Sequence, residues 1–178
     1  MAMPAVLKNV ESMLTARPDV ESAAVVDYGT PDPILVLVKP NGFCNGPELR
    51  DECAAVLEEA APRVVVVLTT EFPPLGAGLP GLESTLREAA YVYRYEPPVT
   101  ETEERVAALW NRVLDRSRTG ATDDFLDLGG DSVNAVRVIA EVSREFGVDV
   151  DLMDFFDGPT IRNLATLIDA GQNAGAGR

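Results

Sequence analysis

The segment Asp123-Asp124-Phe125-Leu126-Asp127-Leu128-Gly129-Gly130-Asp131-Ser132 breaks an otherwise helical half of the chain with two glycines. Consecutive glycines let the backbone turn sharply. An apolar stripe at helical spacing follows at once: Ala135, Val138, Ile139, Val142 and Phe146. Ser132 therefore stands in the N-cap or first-turn region of a helix. There, unpaired N–H groups and the positive end of the helix dipole favour an anionic substituent. An ordinary serine cap explains the same position, and the spacing alone leaves both readings open.

Helices flank this segment on both sides. Upstream, Glu101 to Leu114 places Val106, Leu109, Trp110, Val113 and Leu114 on one face, and Thr100 with Glu103 three places on forms a capping-box signature. Downstream, Asp151 to Phe156 supports a short helix, and Pro159 opens a last helix over Thr160 to Ala170 with Ile161, Leu164, Ala165 and Ile168 inward. The second half is read as an all-α bundle of four unequal helices.

The first half alternates helical and extended signals. Leu7, Val10, Met13 and Leu14 mark an amphipathic helix that stops before Pro18. Val20 to Val26, Ile34 to Val38 and Val64 to Leu68 are β-branched runs read as strands, and Pro47 to Ala60 reads as a helix with Leu49, Cys53, Val56 and Leu57 inward. Phe72 to Gly81 reads as a loop and Leu82 to Ala89 as a short helix. This predicts a small α+β unit with a sheet of about three strands. The junction lies near Pro97-Pro98, which cannot continue a helix. The alternating Tyr91, Tyr93 and Tyr95 are consistent with a short edge strand or a segment packed on one face. The expected boundaries are 1–90 for the first domain, 91–99 for a linker, 100–170 for the second domain and 171–178 for a frayed Gly/Ala/Asn tail.

Composition narrows the chemistry. The chain has 178 residues, 46% of them hydrophobic, with 15 basic against 29 acidic residues and a net charge of −14. Before Pro97 the balance is 7 basic against 14 acidic, and from there on 8 against 15, so neither half offers a basic platform for a phosphate backbone. No histidine is present, which removes His-dependent triads and His-ligated metals. Cys44 and Cys53 are the only thiols, too few for a multi-Cys zinc site, and read as reduced packing residues. No aliphatic run approaches membrane-spanning length, and the N-terminal segment lacks the features of a secretory signal, so a cytoplasmic address is expected.

The pattern Asp-x-Phe-x-Asp-Leu-Gly-Gly-Asp-Ser from Asp123 to Ser132 resembles the attachment motif of peptidyl carrier domains from nonribosomal peptide synthetases. Trp110 followed by Val113-Leu114, then Phe155-Phe156 and Pro159-Thr160-Ile161, extends the likeness over Thr100 to Ala170. The resemblance implies that Ser132 receives 4′-phosphopantetheine from coenzyme A through a separate, magnesium-using phosphopantetheinyl transferase. The thiol of that arm then holds an aminoacyl or peptidyl group. Gly129, Gly130 and Asp131 complete the attachment motif. Asp131 is read as a transferase contact in preference to a solvated cap, while Asp127 stays open between the two. Val133 and Val136 are read as a docking surface for downstream condensation, tailoring or thioesterase domains, extended by Met153 and Phe156. The family often has Leu or Ile after the serine, and Val133 is smaller.

The first half is similar to the small C-terminal subdomain of adenylation enzymes. Ala16-Arg17-Pro18-Asp19-Val20 leads into the first strand, Ile34 to Pro40 and Glu48-Leu49-Arg50 follow, and Pro62 through Pro74-Leu75 completes the order over about Val6 to Arg87. That family carries a catalytic lysine in a Gly-Lys pair soon after the Pro-Leu. Here the region reads Gly76-Ala77-Gly78-Leu79-Pro80-Gly81, and only Lys8 and Lys39 occur in the chain. A leucine cannot supply the positive charge that steadies a developing carboxylate–phosphate transition state, and no phosphate-binding loop is present. A non-catalytic carrier is expected, its truncated adenylation subdomain read as a docking platform for an adenylating enzyme in trans in preference to a remnant kept only because it packs against the linker. Competing readings are an acyl carrier for polyketide or fatty-acid chemistry, a self-sufficient adenylating enzyme, and a calcium loop at Asp123 to Asp131, whose carboxylates lack the EF-hand spacing.

Overall fold

The computed structural model describes residues 3–72 and 91–176. The loop and short helix read over residues 73–89, including the lysine-lacking stretch, lie outside the described residues. The chain divides into two compact units, Met1–Arg94 and Tyr95–Arg178.

In the first unit, helix α1 (Met3–Thr15), strands β1 (Val20–Asp27) and β2 (Ile34–Pro40), helix α2 (Gly46–Leu57) and strands β3 (Val64–Leu68) and β4 (Tyr91–Arg94) follow in order. They form a sheet ordered β1-β2-β3-β4. Strand β2 runs antiparallel to β1 and parallel to β3, and β4 closes antiparallel on β3. The aliphatic runs of β2 and β3 show no polar alternation because both faces of the sheet are covered. Ile34, Val36, Val38, Val64 and Val66 pack with Val10 and Leu14 of α1 and Leu49 and Cys53 of α2. Leu35, Leu37, Val65 and Val67 face the other way, joined by Tyr28 and Phe72. Both cysteines are buried and unlinked, as their reading as packing residues requires.

Helix α2 ends three residues earlier than its apolar pattern implies. Glu58 adopts φ 43°, and a 3-10 segment, Glu58–Arg63, takes over around Pro62, which cannot donate an α-helical hydrogen bond. Among the described residues the sheet has four strands where about three were expected, and the stretch read as linker from residue 91 begins as β4. The reason is side-chain fit. Tyr93 packs against the main core, and its ring lies where a Cβ on Gly46 would be, so only glycine admits it.

The second unit holds helices α3 (Glu101–Leu114), α4 (Ser132–Phe146), α5 (Leu152–Phe156) and α6 (Ile161–Ala176). The capping box at α3 is present in full: Thr100 accepts from the Glu103 amide at 3.1 Å, and Glu103 accepts from the Thr100 amide at 3.3 Å. Glu103 also takes the Val99 amide at 2.7 Å and Arg162 at 3.3 Å, while Arg162 reaches Glu96 at 2.9 Å. The segment leading into α3 is thereby clasped to α6. Helix α6 runs on to Ala176 where the sequence reading frayed it from Gly171. Gln172 there donates to the Phe146 carbonyl at 3.2 Å, and Gly171 lies against Val148 with no room for a Cβ.

Candidate functional site

The loop before α4 is fixed from its buried side. Phe125 is fully buried, edge-on to Trp110 with ring centres 4.9 Å apart and to Phe155 at 5.2 Å. Its amide donates to the Pro159 carbonyl at 2.8 Å, tying the loop to the start of α6. Its carbonyl accepts from Gly130 at 2.9 Å and closes the turn. Gly129 has φ +87°, a conformation L side chains resist, and a Cβ on Gly130 would meet the Phe125 ring and lie 2.6 Å from its carbonyl oxygen. The glycine pair is therefore a requirement of close approach over an aromatic core.

Three of the four aspartates of this stretch accept from nearby backbone amides. Asp123, buried, accepts from the Gly120 amide at 2.7 Å. Asp124 accepts from the amides of Leu126 at 2.8 Å and Asp127 at 3.4 Å. Among the described residues, no group of three or more acidic, cysteine or histidine side chains is placed to hold a metal ion. Asp131 caps α4: its Oδ1 accepts from the Asn134 amide at 2.8 Å, and its carbonyl accepts from Ala135 at 2.8 Å. The cap, one of the two readings of Asp131, is thus present in the fold.

Ser132 is the first residue of α4, one place inside the cap, and is exposed. Among the described residues its hydroxyl has no hydrogen-bond partner, and its own amide and that of Val133 have no protein acceptor. The chain has no histidine, and among the described residues no carboxylate bonds to the oxygen. A serine so placed lacks the adjacent base of a self-activated nucleophile. Its place at a helix start sets it beside unpaired amides that favour negative charge.

The surroundings are apolar and exposed. Val133 is 62% exposed, Val136 55% and Met153 69%. Val133, Val136 and Ala140 share one flank of α4 by their i, i+3, i+7 spacing. Phe156 differs: it is half-buried, packed edge-on to Phe155 at 5.3 Å. Leu126, given no docking role from the sequence, is 52% exposed between the buried Phe125 and Leu128. Its signal was the in-out alternation within the loop.

Comparison with known proteins gives this geometry its family. Residues 104–168 match the model of the phosphopantetheine attachment site. The chain is 45% identical over 80 residues to tyrocidine synthase 2 of Brevibacillus parabrevis, covering 45% of this chain and 2% of that protein. It is 31% identical over 176 residues to surfactin synthase subunit 1 of Bacillus subtilis (strain 168), covering 96% of this chain and 5% of that protein. The chain thus spans only a few per cent of the length of these curated relatives. A solved complex of the phosphopantetheine transferase Sfp with coenzyme A and a peptidyl carrier protein contains a chain 37% identical, with a TM-score of 0.42, covering 43% of this chain and 99% of that one. Residues 104–168 thus belong to the phosphopantetheine-attachment family, within a chain that is similar over nearly its whole length to nonribosomal peptide synthetases.

Proposed function

We propose that this chain is a carrier that tethers an aminoacyl or peptidyl group during nonribosomal peptide biosynthesis, with Ser132 as the attachment residue. The observation that carries the reading is the exposed Ser132 hydroxyl, unbonded and at the open end of a 15-residue helix, behind a turn held by Phe125. These residues fit a 4′-phosphopantetheine arm: the Oγ is reachable for a phosphodiester bond, and the free amides of Ser132 and Val133 favour its charge. When attached, the arm supplies a terminal thiol that carries the acyl group as a thioester and brings it to each partner at high effective concentration. The protein's own residues do less. Gly129 and Gly130 fix the turn, Asp131 holds the helix start, and Val133, Val136 and Met153 offer apolar contact to partners.

The second unit is accordingly read as a four-helix carrier bundle, and the first as a lysine-lacking remnant of an adenylation small subdomain. The remnant serves as a docking platform for an adenylating enzyme acting in trans and does not activate amino acids itself. Partners on this reading are a phosphopantetheinyl transferase, that adenylating enzyme, and downstream condensation, tailoring or thioesterase domains. A carrier for polyketide or fatty-acid chains is disfavoured by the synthetase relatives.

Incubation with coenzyme A, magnesium and a broad-specificity phosphopantetheinyl transferase should add one arm, read by intact mass. Ser132→Ala should abolish the gain. A gain that survives this substitution sinks the assignment. Amino-acid-dependent pyrophosphate exchange should stay at background.

A further inference from the structure

Six arginines of the second unit fall into two sets. Arg105 binds Glu145 at 3.1 Å and lies over the Phe146 ring, Arg118 lies over Tyr95, and Arg162 spans Glu96 and Glu103. By contrast Arg112 of α3 and Arg137 and Arg144 of α4 line one groove together with Val113 and Glu141. All three arginines are exposed. Arg144 pairs with Glu141, which leaves Arg112 and Arg137 with no carboxylate among the described residues.

In a chain of net charge −14 that is an unusual concentration. Three like charges in one groove repel, and a single glutamate offsets one of them. Guanidinium groups in this setting present planar forks that suit carboxylates. Arg137 and Arg144, two turns apart, border the Val133–Val136–Ala140 flank of α4 by helical geometry. The groove is thus a basic margin beside an exposed apolar strip.

We propose that this groove docks an acidic segment of a partner protein that works on the carried group. The inference rests on the carrier reading for the kind of partner, and on the unmatched arginines for its charge. A polyanion such as nucleic acid is a poor occupant, since the net charge outside the groove opposes a long phosphate chain. A carboxylate-bearing segment a few residues long matches the groove's charge and extent. The long-range field of the chain attracts basic surfaces, while this margin selects for acidic ones at contact range. Partners that approach the serine from different sides are thereby sorted.

The test is a titration of the isotopically labelled full chain with hexaglutamate at low salt, followed by nuclear magnetic resonance. Expected are saturable shifts at the Arg112, Arg137 and Arg144 side chains and adjoining amides, no such shifts with hexaglutamine, and about tenfold weaker binding in the R112Q/R137Q double variant. Equal affinity in that variant, shifts without saturation, or sulfate binding as tightly at the same residues would overturn the proposal. Mass gain at Ser132 is measured in parallel. Its failure in the unaltered chain counts against the carrier reading alone, because the titration reads the groove directly.

Discussion

Among the described residues, the buried and half-buried arginines of the first unit are paired within it, whereas the second unit leaves exposed polar groups open at its surface. In the first, Arg17 forks onto Asp19 at 2.9 and 3.0 Å and reaches Glu52 at 2.8 Å. Arg50, 1% exposed, binds Asp51 and the Arg94 carbonyl, and Arg63 binds Asp27 and the Asp32 carbonyl. In the second, the Ser132 hydroxyl and two arginines have no partner among the described residues. Buried polar groups must be paired because an unpaired one costs the full desolvation penalty. Exposed ones carry no such obligation and remain free for other molecules. The difference shows which polar groups each unit leaves available at its surface.

The sharpest way to break that contrast is to remove the aromatic support under the loop. Phe125→Ala deletes a fully buried ring between Trp110 and Phe155 and should destabilise the second unit by about 3–5 kcal/mol. The chain has one tryptophan, Trp110, so its fluorescence reports this unit alone. The urea midpoint from fluorescence should fall sharply while the exchange of β2 and β3 amides stays unchanged. Equal loss in both would mean the two cores are not independent.

A second probe reads the first unit. Burial, with Asp19 as a secondary cause, pushes the Cys44 thiol up to about 11, and burial pushes Cys53 up to about 12. Since the thiolate is the nucleophile, alkylation at pH 8 should be slower than that of free cysteine by about a hundredfold. The rate should rise only when the first unit unfolds, and rapid labelling of the folded chain would contradict its closed packing.

How far the residues announced this arrangement depended on how local each signal was. The start of α4 was legible because the glycine pair, the Asp131 cap and the apolar stripe are adjacent in the chain. The capping box of α3 was legible for the same reason. Strand β4 was only half legible: alternating tyrosines marked an extended segment, but its partner β3 lies far back in sequence. The extension of α6 rests on Gln172 meeting the Phe146 carbonyl, a contact no periodicity encodes. The proposed role of Ser132 was not legible from spacing, which by itself favoured an ordinary cap. It rests on the motif resemblance, and in the fold Asp131 takes the cap position while the serine hydroxyl has no partner among the described residues.

A smaller effect tests the clasp at the entrance to α3. Hydrogen bonds from the Val99 and Thr100 amides, with help from Arg162, hold the Glu103 carboxyl below the ordinary glutamate range. A depressed folded-state value stabilises fully above the unfolded value and is lost as pH falls through the folded one. The tryptophan-reported stability of the second unit should therefore drop as pH falls below about 4.3. Glu103→Gln should show lower stability at neutral pH and a shallower fall. Parallel pH curves for the two proteins would remove Glu103 from the account.

The smallest expected effect separates the two readings of Asp131. As the cap of α4 its Oδ1 takes the Asn134 amide, so Asp131→Ala should cost about 1 kcal/mol in the second unit. Asn caps helices about as well as Asp, so Asp131→Asn should restore most of that stability while removing the charge. A transferase that reads the carboxylate will load Asp131→Asn as slowly as Asp131→Ala. One that needs only a well-formed helix start will load Asp131→Asn at the rate of the unaltered chain. The exposed position of Asp131 beside a free serine favours the first outcome, because one carboxylate oxygen is committed to the cap and the other has no partner among the described residues. Stability and loading rate would then part company in a single substitution that keeps the side-chain shape.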